Sequence, residues 1–168
     1  MCGTVMILMG AKNDWETLQE AGRELDRLGL AWSAHVASAH RSLNRTVDLV
    51  RGAEAEGTRV FICGAGMAAH LAGVVAATTI LPVIGVPLAG GIADGLDALL
   101  STVQMPGGVP VATVAVGKAG ARNAAVLAAQ MLALGDHELA SRLRHLRVEQ
   151  ADAVAAADAA IGGIGKGQ

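Results

Sequence analysis

Short runs of aliphatic and β-branched residues alternate with longer amphipathic segments along almost the whole chain. This alternation is typical of a parallel sheet with helices on both faces, because parallel strands are buried and each crossover has room for a helix. We predict strands at 4–9, 31–37, 59–63, 83–86 and within 110–116. We predict helices at 14–28, 43–56, 67–79, 92–103, 119–134 and 136–150. The pattern predicts a flavodoxin-like α/β three-layer sandwich with a five-stranded parallel sheet in the order 2-1-3-4-5, plus a C-terminal helix.

The length of 168 residues fits one domain with a sizeable core. We predict a single domain over 1–161 and a flexible tail over 162–168, where glycine becomes frequent. At the first helix, Asn13 is expected to be the N-cap, with Glu16 three residues later, and Gly29 is expected to end the helix.

Composition excludes several classes of protein. Hydrophobic residues make up 52% of the chain and charged residues 17%, which excludes disorder for most of it. The net charge is −2 and there are only three aromatic residues, so nucleic-acid binding is not expected. No apolar stretch reaches the ~18 residues of a membrane span. Two cysteines far apart in sequence predict a reducing, cytoplasmic location. The weakly charged helix at 119–134 predicts a homo-oligomer.

The loops that follow the predicted strands are rich in small residues. In a doubly wound sheet these loops form the ligand-binding edge, and the helix N-termini after them favour an anion such as a phosphate. The third glycine of a dinucleotide fingerprint is missing after Gly64 and Gly66, and the Lys118 loop lacks the Walker spacing. Dinucleotide binding and ATP hydrolysis are therefore disfavoured.

Two of the five histidines, His40 and His70, fall after the second and third predicted strands, on one edge of the sheet. Histidine gains and loses a proton readily near neutral pH, which suits general acid–base chemistry. The alternative is a ring hydrogen-bonded within its own loop. No cysteine or acidic partners stand at metal-ligand spacing, so no metal site is predicted.

Two other polar residues at this edge each have two interpretations. Arg41 is either a phosphate ligand or a surface residue, and Asp14 is either a helix-start residue or an acceptor for ribose hydroxyls. Cys63 ends a buried strand and is assigned to the core. Among the remaining histidines, His35 is assigned a structural role, and two on the last helix are expected to be solvated: His137 and His145.

Several motifs occur in a recognisable order: Ser-Ala-His-Arg at 38–41, Ala-Ala-His-Leu at 68–71, Gln-Met-Pro-Gly-Gly-Val-Pro-Val at 104–111 and Gly-Lys-Ala-Gly-Ala-Arg-Asn-Ala-Ala at 117–125. Over roughly 5–150 the chain resembles the catalytic subunit of phosphoribosylaminoimidazole carboxylase, a family whose bacterial form is N5-carboxyaminoimidazole ribonucleotide mutase. The resemblance implies purine biosynthesis, a ribonucleotide substrate, carbon dioxide as an intermediate and no metal or organic cofactor. It also implies a homo-octamer in which helices of small residues pack between subunits.

The resemblance implies roles for individual residues. His40 would be the proton shuttle, and His70 would line the pocket that retains carbon dioxide. Ser38 and Arg41 would hold the phosphate, and Asp14 the ribose hydroxyls. The substrate-binding residues expected by resemblance are Gly10, Ala11, Asp14, Ser38, Ala39, Arg41, Gly64, Ala65 and Gly66.

The chain departs from the family pattern at some loop positions, and two alternative functions remain open, of which only the second is favoured by these departures. The departures are Ala11, Asn13, Leu43, Met67, Ala72, Ala89 and Gly90. One alternative is direct carboxylation of aminoimidazole ribonucleotide by carbon dioxide, a class that has Lys at the position of Arg41 and lacks the match to His70. The other is a non-catalytic nucleotide-binding paralogue, which the presence of both His40 and His70 disfavours.

Overall fold

The computed structural model of the protein describes residues 3–162. Its strands are β1 Val5–Met9, β2 Trp32–Val36, β3 Val60–Ala65, β4 Val83–Pro87 and β5 Ala112–Thr113. Its helices are α1 Trp15–Arg27, α2 Leu43–Ala55, α3 Leu71–Ala76, α4 Leu96–Val103, α5 Gly117–Leu132 and α6 His137–Ile161. The strands form one parallel sheet in the order β2-β1-β3-β4-β5, which confirms the predicted topology. The predicted tail lies, from residue 163 onward, outside the described residues.

Alternation along the strands sends side chains to two separate cores, one on each face of the sheet. Ile7 and Ile62 pack on the face covered by α1 and α5. Met6, Leu8 and Phe61 pack on the opposite face, against α2 and α3. All five residues are at most 1% exposed, so both faces of the central strands are dry.

Strand β1 lies between β2 and β3, and the direction of strand addition reverses there. Its register places Met9 beside Val36 of β2 on one side and beside Gly64 of β3 on the other. At the carboxyl edge, the connection after β1 leads to α1 on one face of the sheet, whereas the connection after β3 leads to α3 on the opposite face. In a doubly wound sheet this divergence opens a crevice for a ligand.

Two helices begin later than the sequence predicted, and in both cases the backbone has a positive φ at the break. The helix predicted over 67–79 is shorter in the structure, where α3 spans Leu71–Ala76. It cannot begin at Met67, because that residue has φ 55°, a conformation that a right-handed helix cannot include. The helix predicted over 92–103 is divided at Gly95, which has φ 106° and separates α4 from a 3₁₀ turn at Ile92–Asp94.

The ends of α1 differ in how well they were predicted. Asn13 is not the N-cap: it lies inside a 3₁₀ turn, Lys12–Asp14, and α1 begins directly afterwards with no side-chain cap. Gly29 does end the helix region, with φ 69° and its N–H bonded to the Asp26 carbonyl.

The C-terminal helix α6 is longer than the predicted 136–150 segment. Asp136 caps it by accepting from the N–H groups of Glu138 and Leu139. Its first half packs on the body through Leu139 and Leu146. Its second half is Ala-rich, and alanine has the highest intrinsic helix propensity, so the helix continues to Ile161. Within residues 3–162, no helix has the length and apolar character needed to cross a membrane.

Candidate active site

A cavity of about 560 Å³ opens at the carboxyl edge of the sheet, at the crevice beside β1. Four connections supply its walls, those that follow β1, β2, β3 and β4. The lining residues are Gly10, Ala11, Asp14, Ser38, Ala39, His40, Arg41, Ala65, Gly66, Met67, Ala68, His70, Leu71, Leu88, Ala89, Gly90 and Gly91. Small side chains dominate three of the walls, which leaves backbone groups close to the cavity.

His40 and His70 form a hydrogen-bonded pair in this cavity. The distance between His40 Nε2 and His70 Nδ1 is 2.8 Å, and the rings are nearly perpendicular, at 78°. One of the two nitrogens must donate, so the tautomer of one ring determines the tautomer of the other. The structure therefore excludes the interpretation that each ring is hydrogen-bonded only within its own loop. The other two ring nitrogens, His40 Nδ1 and His70 Nε2, have no hydrogen-bond partner within residues 3–162.

Ser38 and Arg41 form a compact polar group beside the histidine pair. The Ser38 hydroxyl oxygen accepts from the backbone N–H of Arg41 at 3.3 Å and from Arg41 Nε at 3.2 Å. Arg41 Nη2 donates to the Gly10 carbonyl at 2.9 Å, which joins the first loop to the second. Because the hydroxyl oxygen of Ser38 accepts twice, its proton is free to point at a ligand. A cation and a hydroxyl donor held side by side suit an anionic group.

Asp14 lies below the first loop, half-buried, at the end of the turn that precedes α1. Its Oδ2 accepts from the N–H of Ala11 at 2.8 Å. Burial raises the pKa of the Asp14 carboxyl, and the N–H groups of Ala11 and Gly10 and the charge of Arg41 only partly offset this. Asp14 therefore holds the turn through Ala11 and also lines the cavity. A role at the start of the helix and a role as an acceptor for a ligand do not exclude each other.

One residue expected in the site does not line the cavity. Gly64 is buried beneath it, where its carbonyl accepts from the N–H of Gly10 at 3.3 Å. Seven other lining residues were not predicted: Met67, Ala68, Leu71, Leu88, Ala89, Gly90 and Gly91. The sequence did contain a signal for the four residues from Leu88 to Gly91, because they directly follow β4, whose carboxyl end lies at the same edge of the sheet.

Several polar groups singled out in the sequence lie outside the cavity. Arg122 binds Glu20 of α1 through Nε at 2.9 Å and Nη2 at 2.7 Å, and this lowers the pKa of Glu20. Cys63 is buried, which raises the pKa of its thiol and confirms its place in the core. His35 borders a separate groove beside α2. Within the described residues, no cluster of three or more His, Cys, Asp or Glu side chains could hold a metal ion.

The parallel sheet with helices on both faces is a flavodoxin-like α/β fold, and its open cavity at the carboxyl edge contains a histidine pair. The model of one protein family, AIR carboxylase (AIRC), matches residues 4–153. The chain belongs to the AIR carboxylase family.

Relatives of known name agree with this assignment. The chain is 52% identical to the N5-carboxyaminoimidazole ribonucleotide mutase of Brucella melitensis, over 90% of this chain and 93% of the relative. It is 49% identical to the protein of that name in Escherichia coli K12, over 89% of both chains. Among solved structures it is similar to Treponema denticola PurE, with a TM-score of 0.86 and 27% identity over 94% of this chain and 98% of that one.

Proposed function

We propose that the protein is an N5-carboxyaminoimidazole ribonucleotide mutase of purine biosynthesis. Relatives bearing that name are 49–52% identical to it over about nine-tenths of the chain. The observation that carries the proposal is the 2.8 Å contact of His40 with His70 inside a cavity that also holds Ser38 and Arg41. Proton donor and acceptor groups thus lie next to an anion-binding group.

The proposed reaction moves a carboxylate from the exocyclic nitrogen of the imidazole ribonucleotide to a ring carbon. His40 protonates the carbamate nitrogen, the N–C bond breaks and carbon dioxide is released. The ring carbon then attacks carbon dioxide, and His40 removes the proton from that carbon. The proton is returned, so the cycle needs no outside acid, base or oxidant. The hydrogen bond to His70 holds the His40 ring in one tautomer during each transfer.

The proposed orientation of the substrate follows from the charges around the cavity. Ser38 and Arg41 hold the phosphate through the free hydroxyl proton and the guanidinium. Asp14 accepts from the ribose hydroxyls, and the backbone of Ala11 faces the ligand. Ala65, Gly66 and Ala68 leave space beside the ring for carbon dioxide. His70 closes that space on one side, as the family resemblance implies.

The proposed assembly is a homo-octamer, and the proposed location is the cytoplasm. The sequence suggested α5 as the helix between subunits, but its small residues are buried within one chain, where Ala121 and Ala125 pack into the core shared with α1. Support for assembly comes instead from α4. Leu96, Leu100 and Val103 are 46%, 49% and 47% exposed on one stripe of that helix.

An isotope experiment tests the proposed reaction. Purified protein is mixed with unlabelled N5-carboxyaminoimidazole ribonucleotide in ¹³C-bicarbonate, and the product is analysed by mass spectrometry. A mutase that retains its carbon dioxide gives mostly unlabelled product without added aminoimidazole ribonucleotide. Turnover only from aminoimidazole ribonucleotide plus bicarbonate would instead identify the direct carboxylase. Binding of either ribonucleotide without any turnover would identify a non-catalytic paralogue.

A further inference from the structure

The fourth wall of the cavity is the connection from β4 to α4, and side chains of α4 and the preceding turn hold its backbone. The N–H of Gly90 donates to Asp94 Oδ1 at 3.2 Å, and the N–H of Ile92 donates to Asp97 Oδ2 at 3.0 Å. Asp97 Oδ1 also accepts from the N–H of Ala98 at 2.8 Å, in the first turn of α4. Both oxygens of Asp97 are therefore engaged, one by the helix and one by the wall.

The wall is packed closely onto the Asp97 carboxylate. A Cβ built at Gly91 would overlap Asp97 Oδ2, and Gly91 has φ 70°. Ala93 and Asp94, which follow it, also have positive φ, at 47° and 52°. A non-glycine residue in that region is unfavourable by itself, so surrounding contacts must stabilise the turn. The bond from Ile92 to Asp97 is one such contact.

This arrangement leaves two backbone N–H groups of the wall without an acceptor in the described part of the chain. They belong to Ala89 and Gly91, and both residues line the cavity. Neither residue has a polar side chain. The wall can therefore bind a substrate only through its backbone, and its binding strength depends on how well that backbone is held.

We propose that Asp97 is a positioning residue, which fixes the Ala89–Gly91 backbone so that its free N–H groups donate to anionic oxygens of the substrate. Asp97 does not touch the substrate, and it acts through the bond to Ile92 N. The inference rests on the proposed function for the identity of the substrate. The contact by which Asp97 holds the wall does not depend on it.

The test compares Asp97→Ala with Asp136→Ala. Asp136 accepts from two backbone N–H groups at the start of α6 and does not line the cavity, so Asp136→Ala removes carboxylate hydrogen bonds at a helix start without affecting the wall. Asp97→Ala should raise KM about tenfold, the effect of weakening one or two hydrogen bonds to a charged group, with a smaller change in kcat. Asp136→Ala should lower the melting temperature comparably and leave KM unchanged. Asp97→Asn, which keeps one acceptor oxygen, should recover part of the loss.

Amide hydrogen exchange gives a readout that does not require activity. Exchange at Gly90 and Ile92 should be faster in Asp97→Ala than in the wild type, while exchange in β1 is unchanged. Unchanged exchange at Ile92, or a KM increase shared by Asp136→Ala, would overturn the positioning role. A wild type with no mutase activity would overturn the proposed function alone, since the exchange comparison still decides whether Asp97 holds the wall.

Discussion

Gly64 lies directly against the side chain of Leu18: a Cβ built on Gly64 would come within 2.5 Å of Leu18 Cδ1 and 2.7 Å of Cδ2. Gly64 is in β3, its carbonyl holds the first loop through Gly10, and Leu18 is fully buried in α1. The absence of a side chain at Gly64 therefore lets α1 approach the sheet beneath the site.

This contact predicts that Gly64→Ala lowers the free energy of unfolding by about 1–3 kcal/mol, the usual effect of overpacking a core. Urea unfolding measures it. In a Leu18→Ala background the same change should be less harmful, because the overlapping atoms are gone. Gly52→Ala is the control: nothing lies within 4 Å of a Cβ there, on the exposed side of α2, so it should stabilise by up to ~1 kcal/mol. Equal losses at both glycines would contradict the packing explanation.

His40→Asn should lower kcat at least ~10²-fold, because it removes the group that transfers the proton in the proposed reaction. The dissociation constant for the ribonucleotide, measured by calorimetry, should stay within about tenfold. His137→Asn, an exposed change on α6, provides the control and should behave as the wild type. Near-normal turnover in His40→Asn would show that another group transfers the proton.

Asp14→Asn should leave the protein equally or more stable at pH 7 and weaken ribonucleotide binding. Burial raises the pKa of Asp14 above 3.8, so the folded state binds this proton more tightly than the unfolded chain does. The resulting stabilisation is complete below about pH 3.8, and it is lost as the pH rises through the pKa of the folded state. The melting-temperature advantage of Asp14→Asn should therefore shrink towards pH 4. Asp48→Asn, on the exposed face of α2, is the comparison, and an advantage that grows on acidification would refute the assignment.

Met67→Gly should be more stable than Met67→Ala by about 1 kcal/mol, because glycine adopts the φ of 55° at this position without the steric conflict of a Cβ. The Met67 side chain is 65% exposed, so its removal loses little burial. Ala68→Gly is the control: Ala68 does not have a positive φ, so glycine there should only destabilise. Thermal unfolding of the four proteins measures the difference, and equal stability of the glycine and alanine variants at 67 would show that the loop relaxes.

The sequence predicts the positions of the strands well because a continuous apolar run is a local signal, as in Val5–Met9, where every residue is buried. The strand order follows from the doubly wound topology that the alternation of strands and helices indicates. The start of α3 was predicted wrongly, because the alanines after Met67 favour a helix, while the positive φ of Met67 has no signal in the sequence. In the site, the rule that the loops at the carboxyl edge of a parallel sheet form the ligand site predicts that His40 and His70 lie close together. It does not predict the hydrogen bond between them. It also cannot show that Gly64 faces Leu18 rather than the ligand, since this depends on the register of β3 against α1.

The two histidines follow strands that flank β1 on opposite sides, 30 residues apart in the chain. A partly folded chain in which only β1 and β2 had paired would have His40 without its partner, and so would a chain in which only β1 and β3 had paired. In the proposed mechanism, activity therefore requires that both β2 and β3 have paired with β1. Recovery of turnover after dilution from denaturant would time the pairing of β2, β1 and β3, whereas helical circular dichroism would recover earlier.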